Sequence, residues 1–245
     1  FADSISKKKD KMHTFRYVIL PYALLLMLVG GLVLLEPHLS GAILIMGAGA
    51  VIMLVGGINW AWVGGALGAA AAMMYFVLFV IGYNASRITY WLDPWEDAQG
   101  SGYQLSQSLL SIGSGGLLGV GLGKSRQKFM FLPEEHNDFI FAIVCEELGL
   151  IGAGIIMLLF AALILRGYWI ALHARDRFGS LMVVGIITLI ALQTFLNIGV
   201  VTGLLPTTGI SLPFFSYGGT ALSMQLAEMG IVLSVSRQMR PTKAG

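Results

Sequence analysis

Six long apolar runs constrain the fold of this chain more than any other feature of its sequence. A helix needs about 20 mostly apolar residues to cross the hydrocarbon core of a bilayer. The chain has 56% hydrophobic and only 11% charged residues, whereas about 25% of the residues in a soluble domain are charged. We therefore predict an all-α polytopic membrane protein. Its six transmembrane helices are predicted over residues 15–35, 41–58, 60–83, 139–165, 180–204 and 214–235.

Basic segments next to these runs predict the orientation of the chain. KKKDK (7–11) precedes the first run, RGYWIALHARDR (166–177) joins the fourth to the fifth, and RQMRPTK (237–243) follows the sixth. With six spans all three segments lie on one side, which the positive-inside rule makes cytoplasmic. The predicted organisation is a cytoplasmic loop (1–14), three transmembrane helices (15–83), an extracytoplasmic loop carrying the active site (84–138), three more transmembrane helices (139–236) and a cytoplasmic tail (237–245).

The long loop over residues 84–138 is the predicted functional region, because loops longer than about 15 residues are usually functional or disordered. Residues 103–112 are predicted to form a short amphipathic helix at the membrane surface, followed by a glycine-rich turn. The sequence GSGGLLGVGLGKS in that turn is similar to a phosphate-binding loop, but Leu118 occupies the position of its first glycine. Nucleotide binding is therefore rejected, and a net charge of +2 gives no indication of nucleic-acid binding.

An acidic stretch, LPEEHNDFIFAIVCEELG, begins at the end of this loop and enters the fourth apolar run. Asn137 is predicted to be the N-cap of the fourth helix, which puts Asp138 in its first turn. The positive end of the helix dipole favours an ionised carboxylate there, so Asp138 is suited to act as a general base. The alternative is a carboxylate that only stabilises the helix start. Glu146 and Glu147, two turns deeper, are predicted to line a cavity or to pair with a basic residue.

Other polar residues fall into two groups. The cations of the loop, Lys124, Arg126 and Lys128 with Arg87 at its other end, could clamp a phosphorylated lipid headgroup or form a solvated face. In the fifth run, Gln193 and Asn197 lie one turn apart and are predicted to form hydrogen bonds between helices. The alternative is a direct role in the reaction pathway.

Three long motifs resemble the SEDS family, whose members include FtsW, RodA and SpoVE. The motifs are DPWEDAQGSGYQLSQSL (93–109), SRQKFMFLPEEHNDFIFAIVCEELGLIG (125–152) and TGLLPTTGISLPFFSYGGTAL (202–222). The first is most similar to the FtsW branch. The resemblance implies a ten-helix fold, of which this chain would be the last six helices and the cytoplasmic loop before them. Whether six helices act without the first four stays open.

The resemblance also implies an activity and a site. Family members are peptidoglycan glycosyltransferases of the bacterial cytoplasmic (inner) membrane. They polymerise lipid II together with a class B penicillin-binding protein, a transpeptidase, in the divisome or in related cell-wall machineries for elongation or sporulation. The essential aspartate of the family falls on Asp138, with Asn137 in place of a threonine. The substrate-binding residues inferred with it are Arg87, Gln104, Lys124, Arg126, Lys128, Glu134 and His136.

The expected reaction needs one base, because the pyrophosphate leaves as an anion that Arg, Lys or a divalent cation (Mg²⁺ or Mn²⁺) stabilises. No other cofactor is expected. Two alternatives remain at this point: a lipid II flippase and a non-catalytic scaffold for the transpeptidase. A flippase would be expected to show repeated halves with broken helices at matching positions, and a scaffold would need no fixed carboxylate.

Overall fold

The computed structural model describes residues 1–8, 20–35, 39–59, 62, 64–65, 68, 85–100, 102–130, 133 and 137–239. These residues form helices, turns and irregular loops without β-strands, which confirms the predicted all-α class. The helices in the described part are α1 (Ala2–Lys7), α2 (Leu20–Leu35), α3 (Leu39–Val55), α4 (Ala85–Leu92), α5 (Tyr103–Gly115), α6 (Gln127–Met130), α7 (Ile140–Leu172), α8 (Arg177–Val201) and α9 (Gly219–Arg237).

Five of the predicted spans coincide with described helices, namely α2, α3, α7, α8 and α9. The predicted span over residues 60–83 lies outside the described residues except at four single positions. Within the described part, α7 and α8 are long and apolar enough to cross a membrane, and α2 and α3 contain shorter apolar helices. The number of spans and the side on which residues 84–138 lie therefore stay predictions.

The fourth predicted span ends at residue 165, but α7 continues to Leu172. The additional residues carry the basic and aromatic side chains that are typical of a membrane interface. The guanidinium of Arg166 lies 4.1 Å from the ring centroid of Trp169, and Trp169 stacks on His173 at 4.3 Å. Because these side chains lie one turn apart, their contacts stabilise a helical conformation beyond the apolar run.

The chain divides into two compact units. The first comprises Phe1–Ala69, Ala162–Leu192 and Thr220–Gly245. Its core includes Ile5 of α1, which is 0% exposed and packs in one cluster with Tyr22 of α2 and Leu181 of α8. The hydroxyl of Tyr22 donates a hydrogen bond to Ser4 Oγ at 2.6 Å, so α1 is fixed by both apolar and polar contacts.

The second unit comprises Ala70–Ala161 and Gln193–Gly219 and contains the candidate site. Its core is formed by the first half of α7, the end of α8 and the segment after α8. The buried members of this core are Phe139, Phe141, Ala142, Ile143, Cys145, Ala153, Phe160, Val200, Val201 and Leu212. Deleting a large aromatic side chain from such a core costs about 3–5 kcal/mol, so the start of α7 has a well-defined position within this unit.

Candidate active site

Asp138 lies in the turn that leads into α7. The prediction that it occupies the first helical turn, with Asn137 as N-cap, is wrong, since α7 begins at Ile140 and has no acidic residue in its first turn. Tertiary hydrogen bonds explain the difference. The carbonyl of Asn137 accepts a bond from Ser216 Oγ at 2.7 Å, and the carbonyl of Asp138 accepts one from Asn197 Nδ2 at 2.7 Å. Asp138 still lies close to the positive end of the helix dipole.

One amide side chain fixes the backbone at Asp138. Asn197 of α8 is 1% exposed, and its Nδ2 also donates to the carbonyl of Ile210 at 2.7 Å. It therefore joins α8, the entry to α7 and the segment between α8 and α9. A Cβ atom added to Gly209 would lie 3.5 Å from Asp138 Oδ2, so the carboxyl group is close to the backbone of that segment. The prediction that Asn197 bonds to another helix is therefore wrong in its partners, which are two loop carbonyls.

Helices α4 and α5 are hydrogen-bonded to the C-terminal end of α8. Trp91 Nε1 donates to the carbonyl of Gly203 at 2.8 Å, and Ser108 Oγ donates to the carbonyl of Val201 at 2.8 Å. Helix α5 confirms the short helix predicted over residues 103–112 and extends it by three residues. Gln104, one of the predicted substrate-binding residues, is half-buried in the first turn of α5.

Helix α7 is interrupted at Gly149, where the backbone adopts φ 68° and ψ −172°. In a continuous helix, the amides of Leu150 and Ile151 would donate to the carbonyls of Glu146 and Glu147. Here they donate to the carbonyls of residues 116 and 117, at 2.9 Å and 3.2 Å. The carbonyls of Glu146 and Glu147 accept from the amides of residues 120 and 121, at 2.9 Å and 3.0 Å. The glycine-rich segment over residues 116–121 thus replaces both helical bonds, as buried backbone groups require in a membrane protein.

Close packing of the two segments explains two of the glycines. A Cβ atom on Gly119 would collide with the carbonyl oxygen of Glu147, and one on Gly149 would collide with the amide nitrogen of Gly119. Both residues also have a positive φ, of 79° and 68°, which is unfavourable for residues that have a Cβ atom. This supports the interpretation of the sequence GSGGLLGVGLGKS as a tightly packed turn.

The cationic segment (residues 124–128) is attached to α7 through Glu146. Glu146 is 2% exposed, and its carboxyl group accepts hydrogen bonds from Ser125 Oγ and from the amide of Arg126 at 3.0 Å. The partners of Glu146 are thus a hydroxyl and a backbone amide, so its predicted pairing with a basic side chain is wrong. The alternative, that it lines a cavity, stays a prediction. The side chains of Lys124 and Arg126 are exposed and that of Lys128 is half-buried.

Three further predicted site residues have side chains outside the described part of the structure. Glu134 and His136 lie outside the described residues, and only the backbone of Arg87, in α4, is described. Among the residues that the structure describes, no group of three or more His, Cys, Asp or Glu side chains could hold a metal ion. Sequence reasoning missed Ser108 and Ser111, whose spacing of three residues placed both hydroxyls on one face of α5.

Comparison with known proteins identifies the family. Residues 1–241 match the sequence profile of the cell cycle protein family FTSW_RODA_SPOVE. The chain is 44% identical over 242 residues to the probable peptidoglycan glycosyltransferase FtsW of Geobacter metallireducens, with 98% of this chain and 64% of that protein covered. It is 45% identical over 243 residues to stage V sporulation protein E of Bacillus subtilis, with 98% of this chain and 65% of that protein covered.

A solved structure has a similar fold. It describes the structural coordination of polymerization and crosslinking by a peptidoglycan synthase complex, and one of its chains superimposes with a TM-score of 0.74 at 30% identity. That match covers 90% of this chain and 62% of the other. The chain thus spans slightly less than two-thirds of the curated relatives described above. The match over residues 1–241 and the identities to these relatives show that the chain belongs to the FtsW/RodA/SpoVE family of membrane proteins.

Proposed function

We propose that the complete protein is a peptidoglycan glycosyltransferase that polymerises lipid II in the bacterial cytoplasmic membrane. The observation that carries the proposal is the fixed position of Asp138 at the entry to α7. Two side chains from another part of the second unit bind the carbonyls of residues 137 and 138. A general base must be held within hydrogen-bond reach of the proton that it removes, and a backbone anchored on both sides of the Cα atom provides that constraint.

In the proposed reaction, the carboxylate of Asp138 takes the proton of the acceptor sugar hydroxyl on lipid II. The hydroxyl oxygen then forms a bond to the anomeric carbon of the growing glycan. The bond from that carbon to the pyrophosphate oxygen breaks, and undecaprenyl pyrophosphate leaves with the electron pair. A single displacement inverts the anomeric carbon, so an α-linked donor gives a β-linked product.

The cationic segment is proposed to bind the pyrophosphate group of lipid II. Lys124, Arg126 and Lys128 provide three positive charges, and the first two side chains are exposed. Among the described residues, none of the three forms an ion pair, so their charges are available to an anionic ligand. Charge-assisted hydrogen bonds to phosphate oxygens are roughly twice as strong as neutral ones. Arg87, Gln104, Glu134 and His136 are proposed as further substrate contacts.

The proposal includes a topology and a partner. In the proposed six-span topology, residues 84–138 lie outside the cytoplasm and both ends of this chain lie inside. The interfacial side chains of Arg166, Trp169 and His173 support this arrangement at the cytoplasmic end of α7. Similarity to a peptidoglycan synthase complex supports a transpeptidase as the partner. The divisome and the related machineries for elongation or sporulation are proposed as the wider setting.

The test is lipid II polymerisation by the purified complete protein and its variants. Asp138→Asn keeps the size and polarity of the side chain but removes its basicity, and general base catalysis contributes about 10²–10⁴-fold. We expect a rate loss of that size, with normal membrane insertion and an intact complex with the transpeptidase. The matched control is Asp176→Asn. Asp176 accepts a hydrogen bond from the amide of Gly179 at 2.9 Å at the start of α8, and Asn caps helices equally well.

The outcomes separate the alternatives. An active Asp138→Asn enzyme would overturn the general-base proposal. A complete protein that moves labelled lipid II across a bilayer without polymerising it would identify a flippase. A protein that only stimulates its transpeptidase, with or without Asp138, would be a scaffold.

A further inference from the structure

A buried network links Glu146 of α7 to the backbone of the cationic segment. Ser125 is the central residue of the network and is itself buried. Its hydroxyl donates to Glu146 Oε2 and accepts a bond from the amide of Lys128 at 3.0 Å. The amide of Arg126 donates to Glu146 Oε1 at 3.0 Å. The two oxygens of one carboxyl group thus hold the Ser125 side chain and the Arg126 amide, and the Ser125 hydroxyl in turn holds the Lys128 amide.

Neighbouring contacts hold the network in position. Ser111 Oγ of α5 lies 3.4 Å from Glu146 Oε2 and donates to the carbonyl of Ala142 at 3.0 Å. The amide of Lys124 donates to the carbonyl of Gly121 at 3.1 Å, and the amide of Gly121 donates to the carbonyl of Glu147 at 3.0 Å. The segment is therefore attached to α7 on both sides of Lys124.

Burial and exposure alternate along this segment. The side chain of Ser125 points into the network, while those of its neighbours Lys124 and Arg126 are exposed. A buried polar group without hydrogen bonds is costly, so the satisfied network favours one backbone conformation. In that conformation the side chains of Lys124 and Arg126 project from the protein surface, and their Cα atoms have fixed positions.

We propose that Glu146 and Ser125 are positioning residues, which hold the cationic segment in the conformation that binds the pyrophosphate group of the lipid-linked substrate. This inference rests on the proposed function, because it assumes that the segment binds pyrophosphate. Neither residue contacts the substrate. They act by limiting the conformations of Lys124 and Arg126 in the free protein, which lowers the entropy cost of ordering these residues on binding.

The test is steady-state polymerisation kinetics on the complete protein, with lipid II as the varied substrate. Ser125→Ala removes the donor to Glu146 and the acceptor for the Lys128 amide. We expect KM to rise about tenfold, since small displacements of binding groups cost up to about 10²-fold. We expect kcat to change by less than about twofold, as when an interaction made equally in the ground state and the transition state is lost. Ser125→Thr restores the hydroxyl and should restore KM. The control is Ser114→Ala. Among the described residues, the Ser114 hydroxyl bonds only to the carbonyl of Ser111 in its own helix, at 2.8 Å.

A second readout does not depend on activity. Trypsin cleaves after lysine and arginine, and cleavage requires the backbone to leave its hydrogen bonds. We expect limited digestion after Lys124 and Arg126 to be faster in Ser125→Ala than in the wild type, with the wild-type rate restored by Ser125→Thr. Glu146→Gln keeps the volume but presents an amide donor where the carboxyl group accepted, and it should raise both KM and the cleavage rate.

The results distinguish this inference from the proposed function. A wild-type KM in both Ser125→Ala and Glu146→Gln would overturn the positioning role. Replacing Lys124, Arg126 and Lys128 together by Gln should raise KM at least as much as Ser125→Ala. If that triple variant has a wild-type KM, the pyrophosphate role of the segment is wrong. A raised KM in the triple variant with a wild-type KM in both Ser125→Ala and Glu146→Gln would overturn the positioning role alone.

Discussion

Replacing Asn197 should loosen the entry to α7 and lower the stability of the protein. Its Nδ2 donates two hydrogen bonds of 2.7 Å, to the carbonyls of Asp138 and Ile210. Side-chain hydrogen bonds in membrane proteins contribute on average about 0.6 kcal/mol and at most about 1.7 kcal/mol each. Among the described residues, its Oδ1 is buried without a hydrogen-bond partner, so removing that atom loses no bond. We therefore expect Asn197→Ala to cost about 1–3 kcal/mol.

The measurement is the Tm of the purified complete protein in detergent, together with its polymerisation rate. For a domain of this size, 1 kcal/mol corresponds to about 2–4 °C, so Asn197→Ala should lower Tm by about 2–12 °C. Asn197→Asp has nearly the same shape but places a carboxyl group against two carbonyl oxygens, so it should lower Tm further. Gln193→Ala, one turn away in α8, is the control. Among the described residues the Gln193 side chain forms no hydrogen bond, contrary to its prediction, so the change in stability should be less than about 0.5 kcal/mol. An Asn197→Asp protein with wild-type Tm and rate would refute the proposed anchoring of Asp138.

Two further predictions concern topology and the interrupted helix. A membrane-impermeant thiol reagent added outside should label Ser101→Cys and spare His173→Cys; the reverse pattern would invert the proposed orientation. Gly119→Ala should lower the free energy of unfolding by about 1–3 kcal/mol, as overpacking does, because its Cβ atom would meet the carbonyl oxygen of Glu147. Gly154→Ala, where a Cβ atom meets nothing within 4 Å, is the control for the same Tm measurement.

The helices could be predicted from the sequence because their signals are local. An apolar run of sufficient length predicts a span without reference to the rest of the chain, and α7, α8 and α9 lie within a few residues of their predicted positions, apart from the C-terminal end of α7. Asp138 was proposed as the base because a carboxylate at the edge of an apolar run is conspicuous, and that role stays a prediction. Its exact place relative to the helix start was not found, because Ser216 lies 79 residues away in the sequence.

The interruption of α7 could not be predicted for the same reason. Glycine is common in transmembrane helices, and the residues on both sides of Gly149 are part of one acidic and apolar run. The break is possible only because residues 116–121 provide two donors and two acceptors at the right spacing. The partners of Glu146 depend on the same pairing, since Ser125 precedes it by 21 residues. The sequence pattern of one helix gives no information about hydrogen-bond partners elsewhere in the chain.

Asp138, before α7, and Glu146, within it, lie along the helix axis in the order that the proposed reaction requires. The distance from Ile140 to Glu146 along the axis is about 9 Å at 1.5 Å per residue. In the proposed topology, Asp138 lies at the outer end, and Glu146 holds the cationic segment from a position deeper in the membrane. A lipid-linked sugar has the same order, because its pyrophosphate joins the sugar to the hydrocarbon chain and must lie nearer the bilayer. A base at the start of α7 and phosphate-binding cations attached further down would therefore meet the sugar and the pyrophosphate of one substrate molecule without moving relative to each other.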